Sequence, residues 1–243
     1  MNILLQGALG RMGKAIKSAA AERGHRIVSE VDLGDRVADH FSGINMAIDF
    51  SHHAATRELA HCSAERGVPL VIGTTGHSEE EKKEILELIE PVPVVWTGNY
   101  SLGVNLLFHL TEQASQILPN DYDVELVEIH HRFKWDAPSG TAEELLRRIR
   151  AASQRSNHVP VHGRKGITGA RTQGEIGVHA LRGGDVVGDH TVVFSGQGER
   201  VELVHRAADR MIFARGAIHA AEWLIDQAAG LYDMHDVLGL KQG

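Results

Sequence analysis

The chain has 243 residues, with 25 Lys+Arg against 32 Asp+Glu for a formal charge of −7, and a single cysteine, Cys62. That length suits one large or two small domains with a core that needs no disulfides. The acidic balance argues against nucleic acid as the main partner, and one cysteine excludes a disulfide framework or a Cys-based zinc ribbon. No apolar run approaches the ~18 residues that cross a bilayer, and the opening Met1–Gly7 is broken too early by glycine to read as a signal peptide, so a cytoplasmic protein without membrane association is expected.

Up to Trp96 the chain alternates short apolar runs with helical stretches. Ile3–Leu5, Ile27–Val31, Met46–Phe50, Leu70–Ile72 and Val92–Trp96 read as strands, nearly continuous in hydrophobicity, as in a parallel sheet covered on both faces. Helices are expected at Arg11–Glu22, Ala55–Glu65 and Glu79–Ile89, the third opened by a capping box of Ser78 and Glu81. Asp32–Ile44 has too few apolar positions for a helix and reads as a loop or short crossover.

Beyond Trp96 the pattern changes. A long helix at Leu102–Leu118 ends at Pro119-Asn120, followed by a strand at Val124–His130 and a helix from Ala142 to Ala152. Ser153–Arg171 is polar and glycine-bearing and reads as a long loop. Glu175–Leu181, Val186–Phe194 and Arg200–His205 read as strands. The turns Arg182-Gly183-Gly184-Asp185 and Ser195-Gly196-Gln197-Gly198 between them suggest antiparallel neighbours. A helix at Ile212–Ala228 follows. The expected architecture is α/β, with a Rossmann-like dinucleotide-binding domain over 1–100, rejoined by the C-terminal segment 213–243, and an α+β domain over 101–212 with an open, mostly antiparallel sheet.

Gly7-Ala8-Leu9-Gly10-Arg11-Met12-Gly13 follows the first strand and opens the first helix. Small residues there let the backbone approach a pyrophosphate, and the helix start offers N–H donors and a positive dipole end. Asp32 ends the second strand, where a carboxylate accepts hydrogen bonds from an adenosine ribose. NADH or NADPH is the expected cofactor. Leu33 follows the acid and no base comes before Arg36, which leans mildly to NADH, although Arg11 offers a cation for a 2′-phosphate. Gly73-Thr74-Thr75-Gly76 and Thr97-Gly98-Asn99-Tyr100 follow the fourth and fifth strands, at the edge where open α/β sheets bind ligands. They read either as contacts for a nicotinamide carboxamide or as ordinary loops.

The densest chemistry lies in Glu125–Ala142, where His130, His131, Arg132 and Lys134 make a local positive site in an acidic protein. Thr141 and Glu144 suggest a capping box, so that Ser139, Gly140 and Thr141 form a cradle at a helix start, suited to a carboxylate. Cations beside such a cradle suit a small dicarboxylate, and His130 or Lys134 is placed to deliver a proton. Successive histidines on a strand face opposite ways, which limits how many reach one pocket. No metal site is expected, because neither His52-His53 nor His130-His131 has carboxylates at a recognised spacing. A semialdehyde dehydrogenase would be expected to use a cysteine or a different base, and Cys62 falls in a predicted helix away from the strand ends. A non-catalytic NAD-sensing protein leaves the cation cluster without a purpose.

Glu128-Ile129-His130-His131-Arg132-Phe133-Lys134-Trp135-Asp136-Ala137-Pro138-Ser139-Gly140-Thr141-Ala142 resembles the signature of the dihydrodipicolinate reductase family. Gly7–Gly13, Asp49-Phe50-Ser51, Gly73–Gly76, Asn99–Asn105, Arg182–His190 and His205–Ala217 resemble its other segments in order, over nearly the whole chain. The resemblance implies NAD(P)H-dependent reduction of 4-hydroxy-tetrahydrodipicolinate to tetrahydrodipicolinate, with loss of water, in the diaminopimelate route to lysine. It implies His130 and Lys134 as the proton-donating pair, and His131 with Gly140 and Thr141 as holders of the dicarboxylate. Gly7–Met12, Asp32, Gly73–Thr75 and Thr97–Tyr100 hold the cofactor on the same grounds. It also implies a homotetramer assembled through the sheets of the substrate domain. Closing the two domains on one another would exclude water, so hinge motion near Tyr100 and Ile212 is expected. Two departures stand out. An Arg directly after the acid is missing, and Tyr100 replaces a common Phe, a change expected to matter little.

Overall fold

Two sheets organise the chain. The structure is a computed structural model that describes residues 1–152, 155 and 157–241. In chain order its elements are β1 (Asn2–Gln6), α1 (Arg11–Glu22), β2 (Arg26–Val31), β3 (Met46–Asp49), α2 (His53–Arg66), β4 (Leu70–Ile72), α3 (Glu79–Ile89) and β5 (Pro93–Trp96). Then come α4 (Leu102–Ile117), β6 (Asp123–His130), α5 (Gly140–Ala151), β7 (Val159–His162), β8 (Glu175–Arg182), β9 (Gly188–Ser195) and β10 (Arg200–Ala207). The last are α6 (Met211–Leu224), β11 (Gly230–Tyr232) and α7 (Met234–Val237). The chain divides into two units, Met1–Leu102 with Arg210–Gly243, and Gly103–Asp209.

The first unit holds a parallel sheet in the order β11-β5-β4-β3-β1-β2. Its inner strands β1, β3, β4 and β5 are apolar at successive positions because each feeds two cores. Ile3, Leu5, Met46, Ile48, Val71 and Val95 pack with Ile16 of α1 and Ala217 and Ile218 of α6. The intervening Leu4, Ala47, Leu70, Ile72 and Val94 pack with Leu59 of α2 and Ile85 and Ile89 of α3. Side chains that alternate across a strand thus divide one apolar run between two helical layers. Each aliphatic taken fully out of water there contributes roughly 1.5–3 kcal/mol. The capping box at Ser78 and Glu81 forms as the spacing predicts. Asp32–Ile44 is a loop broken by a single 3-10 turn, Val37–His40.

The end of the chain departs from expectation. The helix expected to Ala228 stops at Leu224, and β11 adds to the sheet beside β5 before α7 begins under an Asp233 cap. A three-residue strand gives too short an alternation to be read from sequence.

The second unit holds a sheet in the order β10-β9-β6-β8-β7. The sheet is mixed, which corrects the expectation of mostly antiparallel pairing: β6 pairs antiparallel with β9, as β9 does with β10, but β6–β8 and β7–β8 are parallel. The physical cause lies in the connection after β8. Gly183 donates to the carbonyl of His130 (2.9 Å) and Arg132 donates to that of Gly184 (3.2 Å), so the segment is tied across the end of β6. β8 and β9 therefore flank β6 instead of forming a hairpin. The expected loop Ser153–Arg171 also contains β7, an edge strand whose Pro160 is tolerated there; Ser153, Gln154 and Ser156 lie outside the described residues. One face of β6, through Val124 and Leu126, packs with Leu107 and Phe108 of α4 and Leu145 and Ile149 of α5. No helix among the described residues is long and apolar enough to cross a membrane.

Candidate active site

The predicted cofactor residues gather at one edge of the first sheet. Gly7–Met12, Asp32, Gly73–Thr75 and Thr97–Tyr100 all follow the C-terminal ends of parallel strands. Gly7 adopts φ +81°, and a Cβ there would collide with the backbone of Phe50. A Cβ on Gly13 would come within 2.7 Å of Ala8 Cα, so these glycines let α1 start close to β1. Gly10 caps α1 without any side-chain hydrogen bond, which leaves the helix start as a backbone anion site. The Asp32 carboxylate accepts from the amides of Leu9 (2.8 Å) and Leu33 (2.9 Å). Those two bonds, Leu9 first, hold its pKa below the usual carboxylate range.

Asp49 is a residue to which the sequence assigned no role. Fully buried at the end of β3, it accepts from Ser51 Oγ (2.5 Å), Thr56 Oγ1 (2.6 Å) and the Ser51 amide (3.1 Å). Burial raises its pKa in spite of these donors. Thr74 Oγ1 accepts from the same Ser51 amide (2.8 Å), so Thr74 fastens two loops, whereas Thr75 is exposed. Thr97 Oγ1 receives the Asn99 amide (3.3 Å), and Gly98 lies in that turn. Tyr100 is 1% exposed, and its hydroxyl lies 2.9 Å from the carbonyl oxygens of both Ile72 and Val95. The hydroxyl that distinguishes Tyr from the common Phe joins the ends of β4 and β5.

The predicted substrate residues belong to the second unit. His130 ends β6, and its Nδ1 is hydrogen-bonded to the Glu128 carboxylate, which is fully buried on the same face. Arg182, at the end of β8, donates to both oxygens of Glu128 (2.9 and 3.0 Å). Ser139 caps α5: its Oγ accepts from Ala142 (3.2 Å), its own amide donates to Glu128 (3.3 Å), and Oγ also meets His190 Nε2 (3.1 Å). Gly140 and Thr141 open the helix directly after this cap. The cap falls at Ser139 and not at Thr141, which lies inside the first turn, and Glu144 binds Arg147 (2.6 Å) and Arg148 (2.7 Å). Lys134 Nζ lies 2.8 Å from both oxygens of Asp136, and His131, past the strand end, keeps a buried Nδ1 without a hydrogen bond among the described residues.

Electrostatics divide these groups. Burial opposes the charge on Glu128, but Arg182 and His130 outweigh it and hold the carboxyl below its usual range. Burial lowers the pKa of His130 against the pull of Glu128. His190 is pushed down to about 4, by burial first and by His130 second, and so stays neutral. Glu128, His130 and His190 offer donor atoms within 4.8 Å of one another, but Arg182 already neutralises both oxygens of the carboxylate, so the set does not suit a metal cation. Glu128, Arg182 and His190 carry no role predicted from sequence. The signal available was alternation, which puts Glu128 and His130 on one face, whereas the strand order that brings up β8 and β9 is not local.

Family models described as "Dihydrodipicolinate reductase, N-terminus" and "Dihydrodipicolinate reductase, C-terminus" match residues 1–100 and 103–238. A 4-hydroxy-tetrahydrodipicolinate reductase of Akkermansia muciniphila is 49% identical over 244 residues, covering 100% of this chain and 99% of that protein. Another from Thiobacillus denitrificans is 45% identical and covers 98% of this chain and 89% of its own. The dipicolinate-bound dihydrodipicolinate reductase of Paenisporosarcina sp. TG-14 shares the fold with a TM-score of 0.78 at 22% identity, covering 96% of this chain and 97% of that one. Matches along both parts of the chain, at this level of identity, mean that the chain belongs to the dihydrodipicolinate reductase family.

Proposed function

We propose that the chain reduces 4-hydroxy-tetrahydrodipicolinate to tetrahydrodipicolinate, with loss of water, in the diaminopimelate route to lysine, using NAD(P)H. The observation that carries this reading, beside family membership, is the joining of His130 to the start of α5 through Glu128 and Ser139. It sets a proton carrier beside a helix N-terminus that attracts carboxylates.

Bound NAD(P)H supplies the hydride. The uncapped start of α1, the close approach at Gly7 and Gly13, and Asp32 fit a dinucleotide, and the residues Gly7–Met12, Asp32, Gly73–Thr75 and Thr97–Tyr100 would hold it. Lys17 acts on Asp32 but is paired with Glu30 (2.8 Å), which supports the lean to NADH. In the second unit, His131, Ser139, Gly140 and Thr141 hold the dicarboxylate, and His130 with Lys134 delivers the proton. The first unit is the cofactor domain and the second the substrate domain, with a homotetramer formed through the half-buried sheet face that carries Glu125, Val127 and Ile129. A cytoplasmic location fits the demand for NAD(P)H.

A coupled assay with the product of dihydrodipicolinate synthase tests the reaction. NADH absorbance falls only when enzyme and substrate are both present; a chain that leaves NADH and NADPH untouched with that substrate refutes the reading. Comparing kcat/KM for the two cofactors tests the lean, and equal values remove it.

A further inference from the structure

The nitrogens of His130 have different surroundings. Nδ1 is bonded to Glu128, whereas Nε2 has no hydrogen bond among the described residues. β9 presents Gly188 to Nε2, where a Cβ would sit only 2.9 Å away, so the absence of a side chain keeps that nitrogen uncovered. Glu128 has no freedom to turn away. Arg182 grips it with two hydrogen bonds of 2.9 and 3.0 Å, and the Ser139 amide donates to one of the same oxygens. An ionised carboxylate only accepts hydrogen bonds, so the Nδ1 facing it must carry the hydrogen.

We propose that Glu128 is the positioning residue for His130: anchored by Arg182, it fixes the hydrogen on Nδ1 and presents Nε2 as the atom that exchanges a proton with substrate. Through the Ser139 amide, the same carboxylate sets that atom relative to the start of α5. The inference deepens the proposed function and rests on its assignment of His130. The charged and titratable groups facing the imidazole are Glu128 from its own strand, Lys134 from the turn that follows, Arg182 from β8 and His190 from β9. Glu128 favours the imidazolium and Lys134 and Arg182 disfavour it, whereas the neutral His190 meets the ring edge-on at 5.2 Å between centroids. Without its charge, His130 loses its proton at lower pH.

The direct test uses the unaltered full chain. Nitrogen-15 spectra of histidine-labelled protein, with the His130 signals assigned by their loss in His130→Gln, report the tautomer of the neutral ring. The expected result is a protonated Nδ1 and a bare Nε2. Hydrogen on Nε2 overturns the proposal, and this measurement stands whether or not any Glu128 variant folds. In folded Glu128→Gln, kcat falls roughly 10- to 100-fold with substrate KM within about twofold, and the descending alkaline limb of the pH profile moves down by about one unit. Glu128→Asp recovers part of the loss, and Glu128→Gln adds no further loss in a His130→Ala background. An added loss there, or an unmoved limb, means that Glu128 acts only on the fold and overturns the proposal. If His130→Ala keeps wild-type kcat while the tautomer is as expected, the assignment of His130 has failed and the positioning role falls with it, identifiably for that reason.

Discussion

The two candidate sites are built in different ways. The glycine turn of the first unit is made of backbone: Gly7 and Gly13 clear space, α1 begins without a side-chain cap, and the one carboxylate involved, Asp32, is itself held by two amides. The site of the second unit is made of side chains from three strands and a helix, with Glu128 and His130 from β6, Arg182 from β8, His190 from β9 and Ser139 at the cap of α5. A backbone site tolerates variation in side chains but no added volume. A side-chain site tolerates small shifts in volume but no loss of a charge partner.

The largest effect should come from the side-chain site. His130→Ala removes the proton carrier and is expected to lower kcat roughly 100- to 10,000-fold while circular dichroism shows a folded protein. Next is the acid sensitivity that His190 brings. Its folded pKa of about 4 lies below the ordinary 6.5, so the unfolded chain binds a proton that the folded chain refuses. Its contribution is present above about pH 6.5 and is lost as pH falls toward 4, to a total of up to roughly 3 kcal/mol. In His190→Gln, the loss of Tm over that pH range should shrink; an unchanged slope removes His190 as the cause.

The backbone site should respond to volume instead. Gly13→Ala places a methyl 2.7 Å from Ala8 Cα and is expected to cost about 1–3 kcal/mol and to raise the cofactor KM more than it lowers kcat. Thermal melts and cofactor titrations check both parts. The smallest effect is that of Tyr100→Phe, which takes a buried donor from two carbonyls at a cost of roughly 1 kcal/mol, read as a lower Tm. A Tm equal to wild type would show that those carbonyls find other partners.

The same contrast explains what the sequence made legible. α1 is read to the residue, Arg11–Glu22, because a local period and a glycine start define it. Strands β1 to β5 of the first sheet are read within a few residues because apolar runs mark parallel strands of a covered sheet. β7 was hidden by the polar residues around Val159–His162, and β11 by its three-residue length. The mixed pairing around β6 was hidden because turn residues at 182–185 look alike whether the chain folds back on its neighbour or passes over the strand between. The second site follows suit. His130, Lys134, Ser139 and Thr141 stand in one run, but Arg182 and His190 reach it through strand order. The Thr141–Glu144 spacing misled because Ser139, two residues earlier, takes the cap position.

The most direct test of the central claim, that the side chains of the second unit carry proton transfer to a dicarboxylate, is substrate-dependent oxidation of NAD(P)H by His130→Ala beside the wild type. The expected result is rapid turnover by the wild type and a loss of at least about 100-fold in kcat for the folded variant. Equal turnover by the two proteins would contradict the account.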